Sequence, residues 1–376
     1  MIFGIVDEAT IKNGLCTDIY FIRTEEILQS EGITPLVTME VTAASLSCGW
    51  GLFCGIEDVI TLLEGLPFSL HSMPEGSIFY PNEPVVRITG NYTDFSRYET
   101  SLLGFLCHAS GIATATARVV LAAEGKPVYS FGSRRQHPAI ASMIERSAWI
   151  GGAAGASNVT APEGIPVVGT MPHSFIICHS SSEQAFRAFD RFAPADVPRI
   201  MLCDTHCDEK KESLIAARAG ATAVRLDTPR SRRGDMRAIV EEVRWELDAA
   251  GYESVGIFLS GGLDANQVAA CRDIVDAFGV GGAIANAEVI DLSLDIVEVN
   301  GTPCAKRGKR SAVKQVYEFP SLRHLVLPAD RNPPRDAIPL LQPVIENGRV
   351  LERPRMEDSR RRVQDILRLL QDHTGG

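Results

Sequence analysis

The run Val128-Tyr129-Ser130-Phe131-Gly132-Ser133-Arg134-Arg135-Gln136-His137-Pro138 decides the fold. A short apolar stretch stops at small residues and then at paired cations. The same rhythm returns at Val167-Val168-Gly169-Thr170-Met171-Pro172-His173-Ser174, Ile200-Met201-Leu202-Cys203-Asp204-Thr205-His206, Val224-Arg225-Leu226-Asp227-Thr228, Gly256-Ile257-Phe258-Leu259-Ser260-Gly261-Gly262 and Phe278-Gly279-Val280-Gly281-Gly282. Strands that end this way, separated by helical spacers, predict β-α units with parallel strands and right-handed crossovers. In a parallel α/β barrel the residues after each strand converge on one face, where such enzymes do their chemistry.

The spacers read as helices. Ser181-Ser182-Glu183-Gln184 has capping-box spacing, Asp208 opens a run that Gly220 stops, and 234–250 and 263–274 read the same way. Residues 1–112 differ, with short alternating strands such as 84–90, proline turns and helical segments near 24–30 and 98–123, which predicts an α+β domain. The barrel is expected over 113–285. The segment 286–376, strand-like at 292–300 and 313–319 and closed by a charged helix, is expected to complete the first domain.

A chain of 376 residues with 45% hydrophobic content suits one barrel plus a second domain. Its net charge of −10 argues against a non-specific nucleic-acid binder. The amino terminus does not read as a signal peptide, and the apolar stretch at 112–123 carries Arg118 and falls short of a membrane span, so a soluble cytoplasmic protein is expected. Nine irregularly spaced cysteines favour reduced thiols. The dense group Cys203-Asp204-Thr205-His206-Cys207 offers four potential ligands, but zinc sites usually draw on two separated ligand pairs.

Double glycines at strand ends let backbone N–H groups approach an anion, so Ser260-Gly261-Gly262 and Gly281-Gly282 predict a phosphate site; tight turns also need glycine. Arg134 and Arg135 can clamp a carboxylate or phosphate, or simply close a surface loop. Asp204 and Asp227 end apolar strands, where a carboxylate holds ribose hydroxyls or Mg²⁺-bound waters, or caps a helix. His173, three residues after Thr170, reads as a general base, a phosphate ligand, a phosphate acceptor or a turn brace. The loop Arg230-Ser231-Arg232-Arg233-Gly234 suits a solvated loop as well as a lid over a polyanion.

Together with Thr17-Asp18-Ile19-Tyr20, these motifs in this order resemble the nicotinate phosphoribosyltransferases in a compact, archaeal-type form. The resemblance covers nearly the whole chain. It implies a type II phosphoribosyltransferase-like irregular α/β barrel plus an α+β domain, and condensation of nicotinate with 5-phosphoribosyl pyrophosphate to nicotinate mononucleotide and pyrophosphate. It also implies Tyr20 stacking on the nicotinate ring in a neighbouring subunit of a homodimer or larger homo-oligomer, Arg134 on the carboxylate and Arg135 on phosphate or pyrophosphate. Asp204 and Asp227 would serve ribose and Mg²⁺, Gly261, Gly262, Gly281 and Gly282 the 5-phosphate, and His173 would accept a phosphoryl group from ATP. Short members often carry a cysteine zinc knuckle near the C-terminus. No cysteine follows Cys304 and the region 318–334 offers only His324, so no structural zinc is expected.

Three rivals share parts of this pattern. A quinolinate phosphoribosyltransferase must bind a second carboxylate with further cations, yet 127–209 contains no lysine. Nicotinamide would need a neutral amide pocket, which Arg134 opposes. A non-catalytic nucleotide-binding relative would have no need of Asp204, Asp227 and His173 together.

Overall fold

The computed structural model describes residues 3–228 and 234–374, which leaves the arginine loop 230–233 outside the described residues. The chain divides into two compact units, 1–114 with 288–376, and 115–287.

The second unit holds six parallel strands, β1 (Val128–Ser130), β2 (Gly155–Ala156), β3 (Ile200–Leu202), β4 (Ala223–Leu226), β5 (Gly256–Leu259) and β6 (Ala277–Val280), in the sheet order β2-β1-β6-β5-β4-β3. The ends, β2 and β3, do not pair, so this is a half-closed, irregular barrel. In β4, Val224 and Leu226 are fully buried while Ala223 and Arg225 are not.

One expected strand is not formed. Val167-Val168 makes a single parallel bridge from Val167 to Ala156 and no strand, and Val167 is half-exposed. The flanking Pro166 has no N–H to give a ladder and contributes only its carbonyl, to the Ala156 N–H at 3.0 Å. The strand that does occupy this place, Gly155–Ala156, is two residues long and has no readable alternation.

Helices follow the capping chemistry. Ser181 accepts from the Gln184 N–H (3.3 Å) ahead of Ser182–Phe192, and Asp208 accepts from the Lys211 N–H (3.0 Å) ahead of Glu209–Arg218, which stops before Gly220 at φ +94°. Asp235 caps Met236–Ala249, and Asp264 forms a full capping box with Gln267 at Ala265–Cys271.

The first unit is built on a mixed-origin antiparallel sheet. Leu36–Ala43 lies between Leu292–Val299 and Val86–Asn91, and the sheet continues through Ser69–Ser72 to Gln342–Glu346. Its core includes Val41, Leu70, Ile88, Ile60, Phe79 and Phe95. The run Tyr92–Ala122 is long and apolar enough to cross a membrane by length and composition, and more than half of its most apolar window is buried inside the fold, as in a core helix. In the same unit the His324 ring is wedged between Glu83 (2.8 Å) and Glu318 (3.3 Å) with its side chain 1% exposed. Burial favours the neutral ring, but hydrogen bonds to Glu318 and Glu83 outweigh it and hold its pKa up at about 9.

Candidate active site

The site grows from the C-terminal ends of β3, β4 and β5. Asp204 and Asp227 follow β3 and β4, and because Asp208 and Asp235 cap the helices that follow, neither strand-end carboxylate is used as a cap. Asp204 is nearly buried, with its side chain 4% exposed. Its Oδ2 accepts from the Asp227 N–H (3.1 Å) and the Thr228 hydroxyl (3.4 Å), while Oδ1 is buried with no hydrogen-bond partner. His173 Nε2 stands 3.9 Å from Asp204 Oδ1 and 3.7 Å from Asp227 Oδ2. Its Nδ1 meets the Thr205 hydroxyl at 3.0 Å. Burial, with repulsion from Asp227, pushes the Asp204 carboxyl up to about 6 against the opposing pull of His173.

Ser260, after β5, donates to Asp227 Oδ1 at 2.8 Å. Gly261 has φ +93°, and a Cβ there would lie 2.8 Å from the Asp227 carbonyl, so this close approach requires glycine. On the other side, a Cβ on Gly132 would collide with the Gly281 carbonyl, which means that the arginine turn and the second glycine turn pack backbone to backbone. Among the described residues the Gly281 and Gly282 N–H groups have no acceptor. Arg134 and Arg135 sit exposed in the short turn Ser133–Arg135, braced where Asn158 Nδ2 donates to the Ser133 hydroxyl (3.0 Å).

Two residues escape a reading by motif alone. Arg225 lies mid-strand, mostly buried, and donates to the Thr170 hydroxyl (2.8 Å) and the Met171 carbonyl (3.2 Å), while its Nε finds no partner. An arginine inside Ala223-Val224-Arg225-Leu226 was the available signal, since a strand's inward position rarely takes a cation without an anion to meet. Glu212, from the helix after β3, accepts from the Thr205 and His206 N–H groups (2.6 and 3.0 Å) and so holds the Asp204 loop. A motif search has no handle on it.

The sequence's site residues in the second unit are thus gathered: His173 with Asp204 and Asp227, Ser260 and Gly261 against Asp227, Thr170 on Arg225, Gly281 against Gly132. Tyr20 belongs to the first unit, 57% exposed at the start of Ile19–Ser30, with its hydroxyl donating to Asp18 (3.4 Å). The cysteine cluster is divided: the Cys203 thiol is buried and donates to the Met201 carbonyl, whereas His206 is exposed.

Two family models match, the N-terminal domain of quinolinate phosphoribosyl transferase over residues 18–110 and its C-terminal domain over 112–295. The nicotinate phosphoribosyltransferase pncB2 of Mycobacterium tuberculosis is 32% identical, the match covering 89% of this chain and 82% of that protein. The chain belongs to the nicotinate phosphoribosyltransferase family. The crystal structure of a nicotinate-nucleotide pyrophosphorylase from Pyrococcus furiosus matches at TM-score 0.96 and 50% identity over 98% of both chains. Human nicotinic acid phosphoribosyltransferase shares the fold, with TM-score 0.76 at 20% identity over 93% of both. The quinolinate models describe a two-domain fold that both enzyme classes use, and relatives of this family are not confined to archaea. The family's reaction condenses nicotinate with 5-phosphoribosyl pyrophosphate to nicotinate mononucleotide and pyrophosphate, a step of NAD biosynthesis.

Proposed function

We propose that the gathered residues divide this reaction as follows. Arg134, beside the buried Arg225, takes the nicotinate carboxylate, and Arg135 meets phosphate or pyrophosphate, since a guanidinium fork suits either anion. The Gly261-Gly262 and Gly281-Gly282 turns cradle the 5-phosphate with backbone N–H groups. Asp204 and Asp227 hold the ribose hydroxyls. The single observation that carries the reading is the juxtaposition of an orphaned buried carboxylate oxygen, Asp204 Oδ1, with Asp227 and His173 and with the mostly buried guanidinium of Arg225.

Departure of pyrophosphate leaves positive charge on ribose C1, so catalysis lies in holding the leaving group, stabilising that charge and aligning the pyridine nitrogen. The Asp204 and Asp227 carboxylates are the chain's negative charges next to that carbon. Two carboxylates are also the donor set that suits Mg²⁺, which keeps most of its waters and would neutralise the departing pyrophosphate when bound. Arg225, fixed by Thr170 and Met171, preorganises positive charge with no reorganisation at the moment of reaction. His173 is the phosphoryl acceptor from ATP in this reading, its Nδ1 anchored on Thr205 so that Nε2 faces the two aspartates.

The reading also places the protein in the cytoplasm as a homodimer or larger homo-oligomer. Pyrophosphate release with nicotinate, nicotinamide and quinolinate offered separately tests the assignment. Nicotinate alone should support turnover, and Arg134→Ala should raise its KM with a loss of about 2–5 kcal/mol while 5-phosphoribosyl pyrophosphate affinity stays nearly intact. Turnover of quinolinate, or equal loss for both substrates, refutes it.

A further inference from the structure

Beneath the arginine turn lies a buried glutamate that caps no helix and pairs with no described cation. Glu145 sits on the helix Ala141–Ile150, on the same buried face as Ile144 and Ala148, and is 0% exposed. Both of its carboxyl oxygens are buried without a fully formed hydrogen bond, and so is the Ser130 hydroxyl. Burial pushes the carboxyl up from its usual range, opposed only by the Ser130 and Ser133 hydroxyls beside it. A carboxylate buried there without a cation costs far more than the uncharged acid, so the acid is the favoured form.

The two serines belong to different elements. Ser130 ends β1, and its carbonyl is fixed by the Ser157 N–H (3.0 Å), while the next N–H, of Phe131, is spent on the Val280 carbonyl (2.9 Å). Ser133 opens the turn Ser133–Arg135 and is the buried residue of that turn. Its hydroxyl accepts from Asn158 (3.0 Å), which leaves its own hydrogen to give, and Glu145 is the acceptor beside it. The helix also packs against the turn, so strand end, turn and helix meet on one carboxyl. Arg134 and Arg135 follow Ser133 directly and are exposed, and their aim depends on how that buried corner is held. An uncharged acid holds it without offsetting the arginines, whereas an ionised one would compete with a substrate carboxylate for Arg134.

We propose that Glu145 is a positioning residue for this reaction: it holds the Ser133 hydroxyl from behind and thereby aims Arg134 at the nicotinate carboxylate, without touching a substrate. The inference rests on the assignment of Arg134 to nicotinate made above.

Steady-state kinetics of Glu145→Leu, Glu145→Gln and Arg134→Ala tests it. Leucine fills the space but holds nothing, whereas glutamine is uncharged and keeps both a donor and an acceptor. Glu145→Leu should raise the nicotinate KM at least about tenfold with kcat within about threefold, because a misaimed clamp weakens binding before it alters the chemical step. Glu145→Gln should restore that KM to within about threefold of wild type, a rescue that a carboxylate needed for its charge would not show. In a Ser133→Ala background, Glu145→Leu should add no more than about twofold, since its route through Ser133 is already gone. A normal nicotinate KM in Glu145→Leu, a loss confined to kcat, equal losses with leucine and glutamine, or effects additive with Ser133→Ala overturns the proposal. Arg134→Ala separates the two levels. If it raises the nicotinate KM and Glu145→Leu does not, only the role of Glu145 falls; if it leaves that KM unchanged, the carboxylate assignment falls and this inference with it. Should Glu145→Leu fail to fold, Glu145→Asp decides: a carboxyl withdrawn by one methylene should raise the nicotinate KM at least about threefold, and a wild-type value rejects the role.

Discussion

His324 is a buried cation held by two glutamates, and its chemistry sets a pH window. Because its folded pKa of about 9 exceeds the ordinary histidine value of 6.5, the stabilisation it gives is fully present below pH 6.5 and is lost as pH rises through 9. Urea midpoints should therefore fall between pH 6.5 and 9 in the wild type, and His324→Gln should start lower and fall less over that interval; parallel curves would remove His324 from this role. At the catalytic end, His173 carries a different consequence. Incubation with γ-labelled ATP should leave acid-labile phosphate on the wild type and none on His173→Ala, which should retain slow ATP-independent synthesis. If the wild type takes up no label and ATP leaves turnover unchanged, His173 only positions ligands.

Glycine turns are the elements on which the site depends most. Gly261 combines a left-handed backbone with contact against the Asp227 carbonyl, whereas Gly262, at φ +71°, has open space where a Cβ would go. Gly261→Ala should cost about 1–3 kcal/mol of stability and displace Asp227, lowering kcat/KM at least about tenfold, with Gly262→Ala milder on both measures. Equal effects of the two substitutions would show that the close approach is immaterial. Such turns are legible in sequence because apolar runs ending in Gly-Gly leave few alternatives. The strand ends carrying Asp204 and Asp227 are legible for the same reason, as is the capping of their helices. Gly155–Ala156 and the lapse at Val167 are not, because two residues carry no alternation and a proline's effect depends on which edge it meets. Arg225 shows the boundary between the two cases: its motif was visible, but its task depends on Thr170 and Met171, more than fifty residues away in sequence.

At the scale of the whole molecule, the exposed apolar side chains of the first unit ask for a cover. Leu15, Ile19 and Ile27, which flank Tyr20 in sequence, are 62%, 58% and 59% exposed. If this face docks on a second copy and delivers Tyr20 to its barrel, then mixing inactive Tyr20→Ala and Asp227→Ala chains should restore about half of the wild-type activity in the hybrid dimer, where one of two sites is intact. Verified heterodimers without activity would rule out shared sites. The two-ended construction of the first unit also has a consequence for how the chain is made. The strand Leu36–Ala43 pairs Ala43 with Leu292, a partner translated 249 residues later (292 − 43). At roughly 5–20 residues per second, that central strand waits on the order of 12–50 s for its neighbour, because the whole of the contiguous unit 115–287 is made in between. Premature termination anywhere in that interval releases a polypeptide with an unpaired apolar edge, the species that holdase chaperones and proteases would meet first.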